Sequence, residues 1–203
     1  MNRLAALHDA YAADYDSQIS AYECYLAEAL FGLGYEFMRP GERLLDLGIG
    51  SGLSAAPFAR AGLRVSGMDF SPAMLDLCRI KGIAEDLRLH DLGDTPWPYP
   101  AEAFDHVVCC GVFHFIADPA AVFAETARVT RPGGLFAFTT RWPAAAIDQP
   151  YEQSTAGDFS VYAHAPAHVR ALLDRHGFIP RRTLRCFVGE DVFALWVSQR
   201  AGE

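Results

Sequence analysis

Three closely spaced glycines are the first feature of this sequence that could support chemistry. Gly48, Gly50 and Gly52 lie in the segment LLDLGIGSG, residues 44–52. Glycine adopts positive φ angles at little cost and lets a ligand approach the backbone closely. From Gly50 onward, the letters GSGLSA also satisfy the loose G-x-G-x-x-A pattern of a dinucleotide-binding turn. The glycines therefore indicate a ligand-binding turn but do not identify the ligand.

Three aspartates lie at or near the ends of three consecutive strand-like runs. Asp46 lies two residues before the first glycine, and Asp69 and Asp91 end the next two strand-like runs. In a doubly wound sheet these carboxylates meet in one crevice. They would repel a pyrophosphate and attract a cation. S-adenosylmethionine has a sulfonium, an ammonium and one carboxylate, so its net charge of about +1 suits this crevice.

The segments that carry these residues alternate between short apolar runs and helical or loop stretches, which is typical of parallel strands with crossover connections. Ser71-Pro72 and Asp118-Pro119 each combine an N-cap residue with proline at the first helical position. The predicted strands are residues 43–47, 64–68, 87–90, 106–112 and 135–139.

The two ends of the chain differ from this alternation. Residues 19–38 carry apolar side chains at three- and four-residue steps, which predicts one amphipathic helix. Residues 164–178 predict another helix, closed near Gly177. Two β-rich runs then follow, 181–188 and 192–198, and they predict a terminal hairpin.

Together these elements predict an α/β fold with a doubly wound, mostly parallel seven-stranded sheet, a terminal antiparallel strand and helices on both faces. We expect a single domain over residues 1–203. Residues 1–38 would form an N-terminal helical cover, and residues 39–203 would form a Rossmann-like core.

Charge and composition narrow the possible partners. The 17 Lys and Arg against 25 Asp and Glu give a net charge of −8, without a basic cluster, so nucleic acid is not an expected partner. The N-terminal residues lack the features of a signal peptide, and no run of 18 apolar residues exists, so we expect a cytoplasmic protein without a membrane partner. Five cysteines without C-x2-C spacing predict reduced thiols and no metal site.

At this point the sequence resembles the class I S-adenosylmethionine-dependent methyltransferases, as a small methyltransferase domain. The resemblance covers nearly the whole chain and follows the order and spacing of that family. It rests on LDLGIGSG, GMDFSPAML, the HDL at Asp91, FDHVVCCGVFHF and RPGGLFAFTT.

The resemblance implies S-adenosylmethionine as the cofactor and assigns a role to each motif. Gly48 and Gly50 would flank its methionine moiety, and Asp46 would reach its ammonium directly or through water. Asp69 would accept hydrogen bonds from both ribose hydroxyls, as the two oxygens of a carboxylate can.

Further positions would contact the two ends of the cofactor. Phe70 would pack by the adenine, Asp91 would accept from its amino group, and the Leu92 backbone would meet a ring nitrogen. Cys110 would offer its backbone near the methionine end, and Tyr15, in YAADYD, would touch the methionine carboxylate.

The acceptor side is less well defined. His114 follows the fourth strand and is either a general base or a packing residue. Arg141 and Trp142 follow the fifth strand as candidate substrate residues, with Arg141 as a carboxylate clamp. The long, irregular segment 143–162 would cover the acceptor pocket.

Three functions remain open at this level. The first is methyl transfer to a nucleophilic oxygen, nitrogen or sulfur of a small-molecule acceptor. The second is a nicotinamide-dependent oxidoreductase that uses the GSGLSA turn. The third is a non-catalytic module that binds S-adenosylmethionine. The motifs name neither the acceptor nor an oligomeric state.

Overall fold

A computed structural model describes residues 9–202 of the chain. Residues 1–8 lie outside the described residues. They include the start of the predicted N-terminal cover and of the segment in which the sequence shows no signal-peptide features. Within the described range the β-strands form one sheet. They are β1 (Arg43–Leu47), β2 (Arg64–Asp69), β3 (Asp86–Leu89), β4 (Phe104–Cys109), β5 (Thr130–Arg141), β6 (Tyr151–Ala156), β7 (Phe159–His164), β8 (Phe178–Val188) and β9 (Asp191–Arg200).

Helices cover this sheet on both of its faces, as predicted. Among residues 9–202, no helix is long and apolar enough to cross a membrane. The α-helices are α1 (Tyr15–Ala21), α2 (Leu26–Gly34), α3 (Ala56–Arg60), α4 (Pro72–Lys81), α5 (Ala120–Val129) and α6 (Pro166–Arg175).

The strand order confirms the predicted fold class. Strands β3, β2, β1, β4 and β5 lie side by side in that order, and each neighbouring pair is parallel. Strand β9 then runs antiparallel to β5, and β8 runs antiparallel to β9. The sheet is therefore doubly wound with an antiparallel edge, and the carboxyl ends of β1 to β4 share one side.

The described part of the sheet has nine strands instead of the predicted seven. Segment 143–162, predicted to be irregular, contains β6 and most of β7, which pair as a hairpin with Ala156 opposite Phe159. This hairpin joins β5 where Arg141 pairs with Ala163, beyond the end of β4. Strand β6 is exposed along almost its whole length, so it has no buried face that hydropathy could reveal.

The prediction of one helix over residues 19–38 is wrong. The chain instead forms α1, α2 and a 3-10 turn at Tyr35–Phe37. Between the two helices Glu23 adopts a φ of 50°, which a continuous helix cannot contain. The apolar spacing was nevertheless informative, because Leu26 and Leu30 are buried.

Strand β1 contributes to a separate core on each face of the sheet. Leu45 and Leu47 belong to the core that also contains side chains of α5 and α6. Leu44 points the other way, into the core formed with α2, α3 and α4. Because side chains alternate along a strand, Asp46 shares the face of Leu44.

Helix α4 begins as its sequence predicts. The Ser71 Oγ accepts a hydrogen bond from the Met74 backbone N–H at 3.2 Å, with Pro72 at the first helical position. Helix α5 starts at Ala120, one residue later than predicted, and the Asp118 carboxylate accepts from the Ala120 N–H at 3.0 Å. Both caps orient a helix N-terminus toward the carboxyl end of the sheet.

The turn after β1 is held in place by one close packing contact. The Ile49 side chain is 2% exposed and lies directly over Gly67 of β2. A Cβ at position 67 would lie 2.4 Å from Ile49 Cδ1. Gly67 therefore leaves the space that lets Ile49 anchor the turn.

We predict that Gly67→Ala destabilises the protein by about 1–3 kcal/mol, because the new methyl group must displace Ile49 from a packed core. Urea unfolding measures this change. Gly32→Ala in α2 is the matched control, since a Cβ there meets nothing within 4 Å. It should raise stability by about 0.5–1 kcal/mol. Equal stability of Gly67→Ala and the parent protein would show that Ile49 is free to move.

Candidate active site

A cavity of about 720 Å³ opens at the carboxyl end of the sheet. This volume lies within the usual range for small-molecule sites. Most of the predicted site residues line it, although they come from five separate segments of the chain. They are Tyr15, Gly48, Gly50, Asp69, Phe70, Asp91, Leu92, Cys110 and His114.

The glycine turn forms the floor of this cavity. The backbone N–H groups of Gly48 and Ile49 both donate to the Met68 carbonyl, at 2.8 and 3.1 Å. Gly48 and Gly50 have φ angles of 69° and 54°, which residues with side chains rarely adopt. A Cβ at Gly48 would also lie 2.6 Å from Val112. The turn therefore requires glycine for both conformation and space.

Asp69 connects this turn to the start of α4. Its Oδ2 accepts from the Gly50 N–H and its Oδ1 accepts from the Ser71 N–H, both at 2.9 Å. Burial raises the pKa of Asp69, and these backbone hydrogen bonds oppose that effect. A carboxylate oxygen can accept two hydrogen bonds, so both oxygens keep capacity for a ligand.

Asp91 lies two residues after the end of β3 and lines the cavity beside Leu92. The Gly93 N–H donates to Asp91 Oδ1 at 2.9 Å, which orients the carboxylate. The Leu92 carbonyl accepts from the Trp97 indole N–H at 3.1 Å. These local bonds fix the backbone here before a ligand binds.

Asp46 is adjacent to the cavity but does not line it. Its side chain is fully buried, and its Oδ2 accepts a hydrogen bond from Ser54 Oγ at 2.5 Å. Its Oδ1 is buried without a hydrogen-bond partner among the described residues. Burial raises the pKa of Asp46 to about 7, and the nearby Asp69 carboxylate adds to the effect. Ser54, which does line the cavity, separates Asp46 from it.

Two aspartates attach the N-terminal segment to this site. Asp9 Oδ1 accepts from Ser71 Oγ at 2.5 Å, at the start of α4. Asp16 Oδ1 accepts from Ser51 Oγ at 2.5 Å, and its other oxygen forms an ion pair with Lys81. These two contacts attach helix α1 and the segment before it to the glycine turn and to the start of α4.

Tyr15 and Cys110 face the same part of the cavity. Burial raises the pKa of the Tyr15 hydroxyl, and the nearby Cys110 and Asp69 add to this effect. Burial likewise raises the pKa of Cys110. Both groups are therefore neutral at neutral pH, and Tyr15 can donate a hydrogen bond into the cavity.

His114 lies in the 3-10 turn Phe113–Phe115, directly after β4. Its ring is 4.0 Å from the Phe115 ring and 5.6 Å from the Phe193 ring, between centroids. These contacts hold the imidazole at the cavity wall. The geometry agrees with a lining residue and also leaves the role of general base open.

Arg141 and Trp142 do not line the cavity. The Arg141 guanidinium forms an ion pair with Asp191 and donates to Ser154 Oγ at 3.1 Å. The Trp142 ring lies under the Arg185 guanidinium, 5.1 Å from its centroid. Segment 143–162 also contributes no lining residue, although Phe159 contacts Phe115 at the rim.

The structure adds lining residues that sequence patterns did not reveal. Several come from the connection between α1 and α2, where no glycine, proline or asparagine signals a helix break, and from the first turn of α2. Others come from the terminal hairpin, whose two apolar strands predict structure but not proximity to a site. The main additions are Glu23, Cys24, Tyr25, Glu28, Val188 and Phe193.

We predict that Asp46→Asn stabilises the unliganded protein. The pKa of Asp46 is higher in the folded state than its ordinary 3.8. The ionised carboxylate therefore disfavours folding increasingly as the pH rises from 4 to 7. Asn removes this cost. Because the pKa rises from 3.8 to about 7 on folding, the cost amounts to roughly 2–4 kcal/mol above pH 7.

Urea unfolding at several pH values between 5 and 8 tests this prediction. The gain from Asp46→Asn should increase up to about pH 7 and then level off. Asp174→Asn, on the exposed side of α6, should give a small difference that does not change with pH. A gain from Asp46→Asn that is the same at every pH would contradict the proposed ionisation.

Comparison with known proteins supports the predicted resemblance to methyltransferases. Residues 45–138 match the family model described as a methyltransferase domain. The chain is 36% identical over 129 residues to malonyl-[acyl-carrier protein] O-methyltransferase of Serratia marcescens, covering 64% of this chain and 49% of that protein. It is 34% identical over 144 residues to human methyltransferase-like protein 27, covering 66% and 56%. The chain thus spans about half the length of these curated relatives.

Solved structures agree with the fold. One is 1,6-didemethyltoxoflavin-N1-methyltransferase of Burkholderia thailandensis, solved with 1,6-didemethyltoxoflavin and S-adenosylhomocysteine. Its TM-score is 0.72 at 19% identity, over 98% of this chain and 88% of that one. The match over residues 45–138, the strand order and the glycine turn with its aspartates all agree with the predicted resemblance to the class I S-adenosylmethionine-dependent methyltransferases.

Proposed function

We propose that this protein transfers the methyl group of S-adenosylmethionine to an oxygen, nitrogen or sulfur atom of a small molecule. The observation that carries the proposal is one cavity lined by the glycine turn, Asp69 and Asp91. A pyrophosphate in this position would face two carboxylates, with Asp46 just behind. A cationic nucleoside meets attraction instead.

The side chains present fit this cofactor. Asp69 has remaining acceptor capacity for the ribose hydroxyls, and the Asp91 carboxylate suits the adenine amino group. Phe70 and Leu92 line the cavity beside these two acids and supply apolar contact for the adenine ring. Tyr15 is placed to donate to the methionine carboxylate.

Asp46 provides a second test of the fit. Its Oδ1 is a buried acceptor without a partner among residues 9–202, and such atoms are uncommon in folded proteins. Ser54 bonds the other oxygen and lines the cavity. An ammonium group at this wall would compensate the buried charge directly or through a water molecule.

When bound, S-adenosylmethionine supplies a methyl group on a positive sulfonium. The protein then has to align the acceptor and exclude water, and alignment can lower a barrier by about 7–11 kcal/mol. His114 can accept a proton from an acceptor that arrives protonated. Helix α1, attached through Asp16 to Ser51, contributes to the cavity wall and reduces its exposure to solvent.

We predict that Asp69→Ala weakens binding of S-adenosylhomocysteine by about ten- to a hundredfold, because two charge-assisted hydrogen bonds are lost. Isothermal titration calorimetry measures the affinity, and thermal unfolding verifies that the variant is folded. Asp174→Ala, exposed on α6, is the matched control and should bind like the parent. Unchanged affinity in folded Asp69→Ala would remove Asp69 from the site.

We further predict that both His114→Ala and His114→Phe lower turnover by roughly a hundredfold or more, because a general base is lost. Turnover is measured as the S-adenosylhomocysteine formed from S-adenosylmethionine in the presence of a panel of phenols, amines and thiols. The affinity for S-adenosylhomocysteine should remain within about threefold of the parent. His114→Phe keeps the aromatic packing, so normal turnover in this variant would assign His114 to packing alone.

A further inference from the structure

The cavity extends beyond the residues that fit the cofactor. Its remaining wall comes from the α1–α2 connection, the first turn of α2, the 3-10 turn after β4 and strand β9. We refer to this part as the acceptor end, defined by Glu23, Cys24, Tyr25, Glu28, His114 and Phe193.

The acceptor end combines apolar surface with negative charge. The rings of His114 and Phe193 meet edge to face at 5.6 Å, and Tyr25 lies at the mouth with 66% of its surface exposed. Among the described residues, the carboxylates of Glu23 and Glu28 take part in no hydrogen bond or ion pair. Neither carboxylate is therefore held in an ion pair among the described residues, although Arg60 lines a second, smaller cavity together with Glu28.

No lysine or arginine is present among the described residues that line the cavity. The nearby cations are directed elsewhere. Arg141 is paired with Asp191, Arg185 stacks on Trp142, and Lys81 is paired with Asp16. An anionic group entering the cavity would thus meet carboxylates and no guanidinium or ammonium to bind it.

We propose that the acceptor is an apolar or aromatic molecule that is uncharged or positively charged, and that Glu23 and Glu28 select against anionic acceptors. This inference rests on the proposed function and specifies its substrate class. It also replaces the expectation that Arg141 clamps a carboxylate. The repulsion acts through partly exposed groups, so it should weaken as salt concentration rises.

Cys24 allows the charge of the acceptor end to be measured without a known acceptor. It is half-buried and lines the cavity, whereas Cys78 and Cys109 are buried. Burial strongly raises the pKa of Cys110, so its thiol stays protonated and reacts slowly. Cys186 is half-buried but lies outside the lining, so Cys186→Ser serves as the parent. The remaining thiols of the Cys186→Ser variant are reacted separately with a cationic trimethylammonium methanethiosulfonate and an anionic sulfonate methanethiosulfonate. Mass spectrometry locates the modified cysteine.

We expect the cationic reagent to be favoured at least tenfold at low salt, after normalisation to the rates with free 2-mercaptoethanol. The preference should fall at high salt. Glu23→Gln/Glu28→Gln should reduce it by at least threefold, and the remaining aspartates of the cavity should account for what is left. The matched control, Asp148→Asn/Asp158→Asn, removes two exposed charges outside the cavity and should leave the preference unchanged. No preference in the parent, or equal preference in both double variants, would overturn the proposal.

A matched acceptor series provides the second arm. Dopamine, 4-methylcatechol and 3,4-dihydroxyphenylacetate share a catechol and differ in charge. We expect S-adenosylhomocysteine to form at least tenfold faster with either of the first two acceptors than with the third. A preference for 3,4-dihydroxyphenylacetate would overturn the proposal, and if none reacts the thiol rates decide. Calorimetric titration of S-adenosylhomocysteine distinguishes the two hypotheses, because its failure to bind contradicts the proposed function itself.

Discussion

The architecture of the site depends on one carboxylate that bonds two backbone turns at once. Asp69 accepts from the N–H of Gly50, in the turn after β1, and from the N–H of Ser71, at the start of α4. Both N–H groups belong to connections between a strand and a helix, and one buried acid fixes their separation. The desolvation that raises the pKa of Asp69 is offset by these bonds. The same residue thus organises the cavity and remains available to a ligand.

The attachment of the N-terminal segment depends on the two turns that Asp69 holds together. Asp9 bonds Ser71 and Asp16 bonds Ser51, so each anchor uses a serine from one of the two turns that Asp69 connects. A change in the separation of the turns would strain both anchors together.

The sequence predicted those features of the fold and site that leave a local pattern of residues, and missed those that do not. Strand β1 and the cap at Ser71 were predicted because burial and capping leave local patterns. Strand β6 was missed because it is exposed, although the Gly157-Asp158 pair between β6 and β7 is a recognised two-residue hairpin signal. The break at Glu23 left no local signal at all. The ion pair between Arg141 and Asp191 was not predicted, because the position of a residue after a strand does not reveal its ion-pair partner.

Asp46 and the acceptor end show how one site can use uncompensated charge in two ways. At Asp46 the charge is fully buried, so it costs folding stability and gives a fixed point of attraction for a cation. At Glu23 and Glu28 the carboxylates are exposed, so they cost little and act on molecules as they enter. A site that was optimised for stability alone would have neither feature. Their presence beside and within one cavity favours a binding role over a structural one, since stability is commonly given up where function requires it.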